Sequence, residues 1–171
     1  MKYLLAFSVL LLALFVSATE KHAHREHGAH VHGAAELSIA FEGPQGKIEF
    51  KSASDSIVGF EHAAKSAADK KSADEAFKKF EGSIGEMITF DKSLQCQFSK
   101  DKLEVVSEGG NHSNTVAAFS VRCAKSPVGT KLVFNFQKTF PKLKDIDAQI
   151  IADSIQKSLE IKSVGTSLEL K

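Results

Sequence analysis

The chain lacks an excess of charge of either sign, since its 171 residues include 22 Lys and Arg against 21 Asp and Glu. A neutral, charge-mixed chain offers no broad basic field for nucleic acid and no polybasic patch for a membrane. The sequence also has no GxSxG, HExxH or CxxC motif and no glycine-rich phosphate loop. We therefore expect neither nucleic-acid binding nor enzymatic activity.

A long apolar run is absent as well, because the hydrophobic stretch near the N-terminus ends at Val16. A membrane-spanning helix needs about 20 apolar residues. Lys2, the apolar stretch and the small residues Ser17 and Ala18 are instead typical of a secretory signal peptide. We expect cleavage after Ala18 and no membrane contact afterwards, with an uncleaved anchor as the alternative.

Cysteine is scarce, and Cys96 and Cys123 are the two in the chain. A metal site built from thiolates would want more than two widely spaced cysteines. The signal peptide directs both to an oxidising compartment, where cysteines pair. We expect a disulfide that closes a loop of 27 residues and stabilises the fold by about 3 to 4 kcal/mol.

Alternation of apolar and polar residues predicts several antiparallel strands. It runs through residues 35–54 on both sides of the turn sequence Gly-Pro-Gln-Gly, which predicts a hairpin. Further on, we expect 94–98 and 102–106 to form an extended pair, with 115–123 as another partner. Apolar alternation continues in 131–136, and two closing strands are expected at 146–152 and 158–162.

One principal amphipathic helix is predicted after residue 72. Ser72 and Glu75 have the spacing of a capping box. Helical periodicity gives one apolar face, made of Ala76, Phe77, Phe80, Ile84, Met87 and Ile88. The whole is an α+β fold: a mainly antiparallel β-sheet with one principal amphipathic helix and one disulfide. We expect a signal peptide (1–18), a His-rich N-terminal segment (19–33) and a single domain (34–171).

Histidines are concentrated in the stretch HAHREHGAHVHG, residues 22–33. Neutral imidazole is the commonest protein ligand for Zn²⁺, Cu²⁺ and Ni²⁺. Side chains two positions apart on an extended strand point the same way, so His22 with His24, and His30 with His32, can each reach one ion. The alternative for His22, His24 and His27 is a disordered, solvated leader that binds no metal.

Strand parity refines the prediction for the second histidine pair. If the first strand begins near His30, then His30, His32 and Glu36 share the face opposite the apolar side chains. Zinc accepts nitrogen and carboxylate oxygen, so Glu61 or His62 would complete a tetrahedral site if their segment lies alongside. His62, beside an apolar run, is equally compatible with a partly buried histidine that binds no metal.

Several segments in order resemble one known family. They are HGAHVHGAAELSIAFEG, SDSIVGFEHAAKS, VRCAKS around the second cysteine and KTFPKLKDIDAQII. Together they resemble the ZrgA family of zinc-regulated periplasmic proteins of Gram-negative bacteria. The resemblance implies a periplasmic Zn²⁺-binding protein that assists zinc uptake, with the substrate-binding component of a zinc ABC transporter as partner. It places the family's HxHG motif on His30 and His32, and its GFEH motif on Glu61 and His62.

The chain departs from the family in its central loop. Many relatives carry a long tract of His and acidic residues there, whereas residues 107–114 contain only His112. We interpret His112 as a turn residue without a metal role. Most of the capacity would then fall to His22, His24 and His27 as a flexible collector, whose affinity falls below about pH 6.5 as imidazole is protonated.

Two other function classes stay open. One is a copper or nickel handling protein, because the order of metal affinity does not by itself favour zinc. Cleavage after Thr19 would also make His22 the third residue of the mature chain, where its imidazole, the terminal amine and two amides form a square-planar nitrogen set suited to Cu²⁺ or Ni²⁺. The other is a secreted structural or interaction module whose histidines are incidental.

Overall fold

A computed structural model of the chain describes residues 32–171. Within this range the chain forms nine strands and two helices. The strands are β1 (Ala34–Glu42), β2 (Gln45–Ala53), β3 (Ile88–Thr89), β4 (Gln97–Gly109), β5 (His112–Arg122), β6 (Lys131–Phe134), β7 (Asp145–Ala152), β8 (Ile155–Ile161) and β9 (Thr166–Glu169). The helices are α1 (Ala67–Met87) and α2 (Phe136–Thr139). The predominance of strands with one long helix confirms the α+β class.

Six strands form the larger sheet, in the order β4-β5-β2-β1-β7-β8. β1 and β2 are the predicted antiparallel hairpin, in which Gly43 takes a positive φ of 54° to reverse the chain. Every second residue of β1 is buried, as the alternation requires: Ala35, Leu37, Ile39 and Phe41. β1 also pairs in parallel with β7, so the first strand lies inside the sheet.

The prediction of a strand pair at 94–98 and 102–106 is wrong. β4 is one strand of 13 residues that pairs with β5. The register shifts at Asp101, where a β-bulge absorbs the extra residue and lets the ladder continue. The Asp101 carboxylate accepts hydrogen bonds from Lys47 Nζ at 2.7 Å and from Ser120 Oγ at 2.8 Å. These bonds tie the bulge to the neighbouring strands.

The C-terminal part supplies the two closing strands, β7 and β8, which pair antiparallel at one side of the larger sheet. β8 begins at Ile155, earlier than the alternation indicated. β9 was not predicted, because it is short and none of its four residues is buried. It completes a smaller sheet in the order β3-β6-β9.

Helix α1 begins earlier than predicted. Its capping box is formed by Ser66 and Asp69: Asp69 N donates to Ser66 Oγ at 3.0 Å, and Ser66 N donates to the Asp69 carboxylate at 3.2 Å. Ser72 is therefore exposed within the helix, and its capping box with Glu75 does not form. The Ala- and Lys-rich stretch before Ser72 has high helix propensity, so the helix extends back to the earlier cap.

The core lies between the larger sheet and a layer formed by the helices and the smaller sheet. Phe80 of α1 is fully buried, with its ring centroid 5.4 Å from that of Phe50 and 6.0 Å from that of Phe119. Phe136 of α2 stacks on Phe50 at 5.6 Å. Burial of each such ring contributes roughly 1.5–3 kcal/mol. The predicted apolar helix face thus packs into the core, but Ile88, which was predicted to belong to it, lies in β3 after the helix has ended.

Cys96 and Cys123 form the predicted disulfide, with an S–S distance of 2.03 Å. One cysteine directly precedes β4 and the other directly follows β5. The bond therefore lies at the end of the β4–β5 hairpin that is opposite its turn. In the part of the chain that the structure describes, no helix has both the length and the apolar character to cross a bilayer.

Candidate functional site

A tight turn places His32 beside the end of β2. Gly33 has a φ of 85°, and its N–H donates to Ser56 Oγ at 3.3 Å. Its carbonyl accepts hydrogen bonds from the backbone N–H groups of Lys144 at 2.7 Å and Asp145 at 3.1 Å. β1 begins only after this glycine, so the predicted strand alternation does not extend back to His32.

Glu61 lies between two imidazoles. Its Oε1 is 3.3 Å from His32 Nδ1, and its Oε2 is 3.1 Å from His112 Nδ1. The Glu61 side chain is only 16% exposed, whereas those of His32 and His112 are 66% and 53% exposed. Although His32 is close, Glu61 Oε1 is buried without a hydrogen-bond partner. This buried carboxylate oxygen thus has a nearby imidazole but accepts no hydrogen bond.

Asp55 adds a second carboxylate. Its Oδ2 is 3.7 Å from His32 Nδ1, and its Oδ1 is 2.9 Å from the ammonium of Lys142. We call His32, Asp55, Glu61 and His112 the imidazole–carboxylate cluster. Its members come from the first turn of the domain, the segment after β2 and the start of β5.

Buried hydroxyl groups connect the elements that carry the cluster. Thr115 Oγ1 of β5 donates to Ser54 Oγ in the 3-10 turn Ser54–Ser56 at 3.3 Å, and both side chains are buried. Ser56 Oγ holds the His32 turn through Gly33. The hydroxyls thus fix the three backbone segments relative to one another.

The donor set suits a borderline cation, because zinc accepts imidazole nitrogen and carboxylate oxygen. Among residues 32–171, no three His, Cys, Asp or Glu side chains are already arranged to hold a metal ion. Zinc binds such ligands at about 2.0–2.2 Å, so the donors have to rotate inward from their present separations. The two exposed imidazoles of the cluster have room for that rotation.

The other residues predicted for the site lie elsewhere. Glu36 is on the exposed face of β1, opposite Lys51 and Asp147 in the strand register. His62 Nε2 is 3.3 Å from Asp69 Oδ2, and its ring packs on Phe60 with centroids 4.9 Å apart. His32 and Glu61 are thus brought together, and Glu36 and His62 are not joined to them. Four predicted ligands lie outside the described residues: His22, His24, His27 and His30.

Sequence reasoning did not select Asp55 and His112. Asp55 follows the end of β2, and His112 begins β5 after a Gly-Gly-Asn turn. β5 pairs with β2, with Asn114 opposite Ala53. This pairing brings Asp55 and His112 to the end of the sheet at which β1 begins. A local alternation pattern predicts only pairs of strands that are adjacent in sequence. The pairing of β5 with β2 joins strands that are far apart in sequence, so no local pattern could have indicated these two residues.

The chain matches a known protein family. The family model described as ZrgA family zinc uptake protein matches residues 29–170. The matched range includes all four members of the imidazole–carboxylate cluster, together with His30 and His62. No curated protein matches the chain.

Proposed function

Because this chain belongs to the ZrgA family of zinc uptake proteins, we propose that it binds Zn²⁺ at the imidazole–carboxylate cluster and passes it on. The observation that carries the proposal is Glu61, which lies between two imidazoles with a buried oxygen that forms no hydrogen bond. Leaving a buried polar group without a hydrogen bond costs about 1–3 kcal/mol. A bound cation would remove that penalty.

The proposed ligands are His32, Glu61 and His112, with Asp55 or His30 available for a fourth position. His30 is two residues before His32 in the sequence, close enough along the chain to reach the same ion. Two imidazoles and one or two carboxylates match the ligand types of zinc sites. Because the cluster is open to solvent on its imidazole side, the ion can enter and leave without unfolding of the domain.

The proposed setting is the periplasm. The signal peptide expected in residues 1–18 supports export, and the family's role in zinc uptake supports a task before membrane transport. The protein would collect zinc with His22, His24 and His27, hold it at the cluster and deliver it to the substrate-binding component of a zinc ABC transporter. No enzymatic step belongs to this proposal, because capture and delivery require none.

Isothermal titration of the mature chain, residues 19–171, with zinc tests the proposal. We expect a dissociation constant below about 10 μM, which corresponds to roughly −7 kcal/mol. Glu61→Gln and His112→Ala should each weaken binding at the tight site about tenfold or more, since each removes a ligand. His62→Ala is the matched control, because that imidazole contacts Asp69 outside the cluster, and it should keep the wild-type affinity.

Wild-type binding weaker than this limit would contradict the proposal. Equal losses in His62→Ala and His112→Ala would place the site elsewhere. Competition with Cu²⁺ and metal analysis of protein purified without added metal address selectivity, because the intrinsic order of affinity favours copper over zinc. A chain that retains only copper after such purification would support the copper-handling alternative.

A further inference from the structure

Lys142 pairs with Asp55, one of the two carboxylates of the imidazole–carboxylate cluster. Its Nζ is 2.9 Å from Asp55 Oδ1 and 3.4 Å from the Asp55 backbone carbonyl. The other carboxylate oxygen of Asp55 faces His32 at 3.7 Å. The Asp55 carboxylate is therefore shared between the Lys142 ammonium and His32, a proposed zinc ligand.

The backbone at Lys142 is held against the turn that carries His32. The loop before β7 is anchored by Leu143, which is fully buried, and the next residue, Lys144, donates its N–H to the Gly33 carbonyl. The Lys142 carbonyl also packs closely on Gly33, since a Cβ on the glycine would lie 2.9 Å from it. Lys142 is thus carried by the same contact that positions His32.

An ammonium and a divalent cation compete for the same carboxylate, because each is attracted to the negative charge and the two positive charges repel each other. We propose that Lys142 is a competing cation that keeps Asp55 partly neutralised, weakens zinc binding and speeds zinc release. This inference rests on the proposed zinc site. In this view Lys142 makes zinc binding reversible, as delivery to another protein requires.

A purely structural role for the pair would have a different signature. Exposed Lys–Asp pairs contribute little to folding stability. Removal of the ammonium should accordingly leave thermal unfolding of the zinc-free protein almost unchanged. The effect should be on the metal, in both the dissociation constant and the release rate.

The test compares Lys142→Met with Lys144→Met in residues 19–171. Lys144 is the matched control, because it lies on the same loop and its Nζ donates to the Pro141 carbonyl. We expect Lys142→Met to bind zinc about tenfold more tightly, about 1.4 kcal/mol, and to release it to a chelator about tenfold more slowly. Lys144→Met and Lys142→Arg should match the wild type, and Asp55→Asn should abolish the gain from Lys142→Met.

The outcomes separate the inference from the function on which it rests. A wild type that binds zinc while Lys142→Met has the same or weaker affinity overturns the inference alone. A wild type that binds no zinc overturns both. If Lys142→Met unfolds, Lys142→Gln, which keeps a polar side chain without the charge, takes its place, and an unchanged affinity in it also overturns the inference.

Discussion

At the scale of single residues, Gly33 determines where His32 lies. Its φ of 85° is in the left-handed region, which residues with a Cβ rarely adopt. Its hydrogen bonds join the turn to Ser56 on one side and to Lys144 and Asp145 on the other. A residue without a side chain thus positions His32, one of the proposed zinc ligands.

Substitution of this glycine should affect stability and metal binding together. We expect Gly33→Ala to lose about 1–2 kcal/mol of folding free energy from the backbone conformation, plus a further loss from the close approach of the Lys142 carbonyl. Gly165→Ala is the control, because Gly165 has a φ of 83° and no atom within 4 Å of an added Cβ. Urea unfolding and zinc titration would measure both. Equal destabilisation of the two variants, or unchanged zinc affinity in Gly33→Ala, would contradict the expectation.

At the scale of elements, helix α1 has two serines that fit a capping box in the sequence and uses the first. The Ser66 hydroxyl, together with the Ser66 N–H and the neighbouring His62, holds the pKa of Asp69 below its ordinary value despite an opposing effect of desolvation. Ser72 lies in the second turn of the helix, on its exposed side. The helix cap therefore also stabilises the negative charge of Asp69 in the folded state.

The two serines should respond differently to replacement by alanine. Ser66→Ala should lower the free energy of unfolding by about 1 kcal/mol, whereas Ser72→Ala should be neutral or slightly stabilising because alanine favours helix interiors. A lowered carboxylate pKa stabilises the folded state above the unfolded-state pKa, and this contribution is lost as the pH falls through the folded-state pKa. The Ser66→Ala deficit should thus shrink in strong acid. Chemical unfolding at neutral and acidic pH checks this, and a pH-independent deficit would count against it.

Local sequence patterns predicted individual elements but not the contacts between distant ones. Alternation along β1 and β2 identified the hairpin and its buried face, because the period of two is a local property. The parity argument stopped being valid at Gly33, where the backbone leaves the extended conformation. His112 was beyond local reasoning, since only the pairing of β5 with β2 brings it to Glu61.

At the scale of the whole molecule, the proposed function combines a folded site with an N-terminal His-rich segment. The cluster draws its ligands from segments far apart in sequence, so a bound ion would link them. A ligand that binds only the folded state raises its stability by mass action, about 2.7 kcal/mol at a hundredfold excess over the dissociation constant. The N-terminal histidines would add capacity without adding stability.

Removal of the N-terminal histidines should therefore change the zinc stoichiometry and leave the tight site intact. We expect residues 29–171 to bind one zinc ion with the same affinity and the same rise in melting temperature as residues 19–171. The longer chain should bind further ions more weakly, because it also carries His22, His24 and His27. Titration calorimetry and thermal unfolding with zinc would measure both. A variant of the longer chain with these three residues changed to alanine is the control and should match the shorter one; equal stoichiometry in all chains would exclude a collector.

The parallel pairing of β1 with β7 also has a consequence for the order of folding. β1 can form its hairpin with β2 early, but its other neighbour is completed only at Ala152, and the His32 turn takes hydrogen bonds from Lys144 and Asp145. Contacts between such distant parts of a chain form slowly, because a long loop has to close first. Every ligand of the cluster is therefore present in a growing chain well before the turn that positions His32 is held in place. The proposed zinc site would accordingly be completed late, as one of the final steps of the protein's maturation.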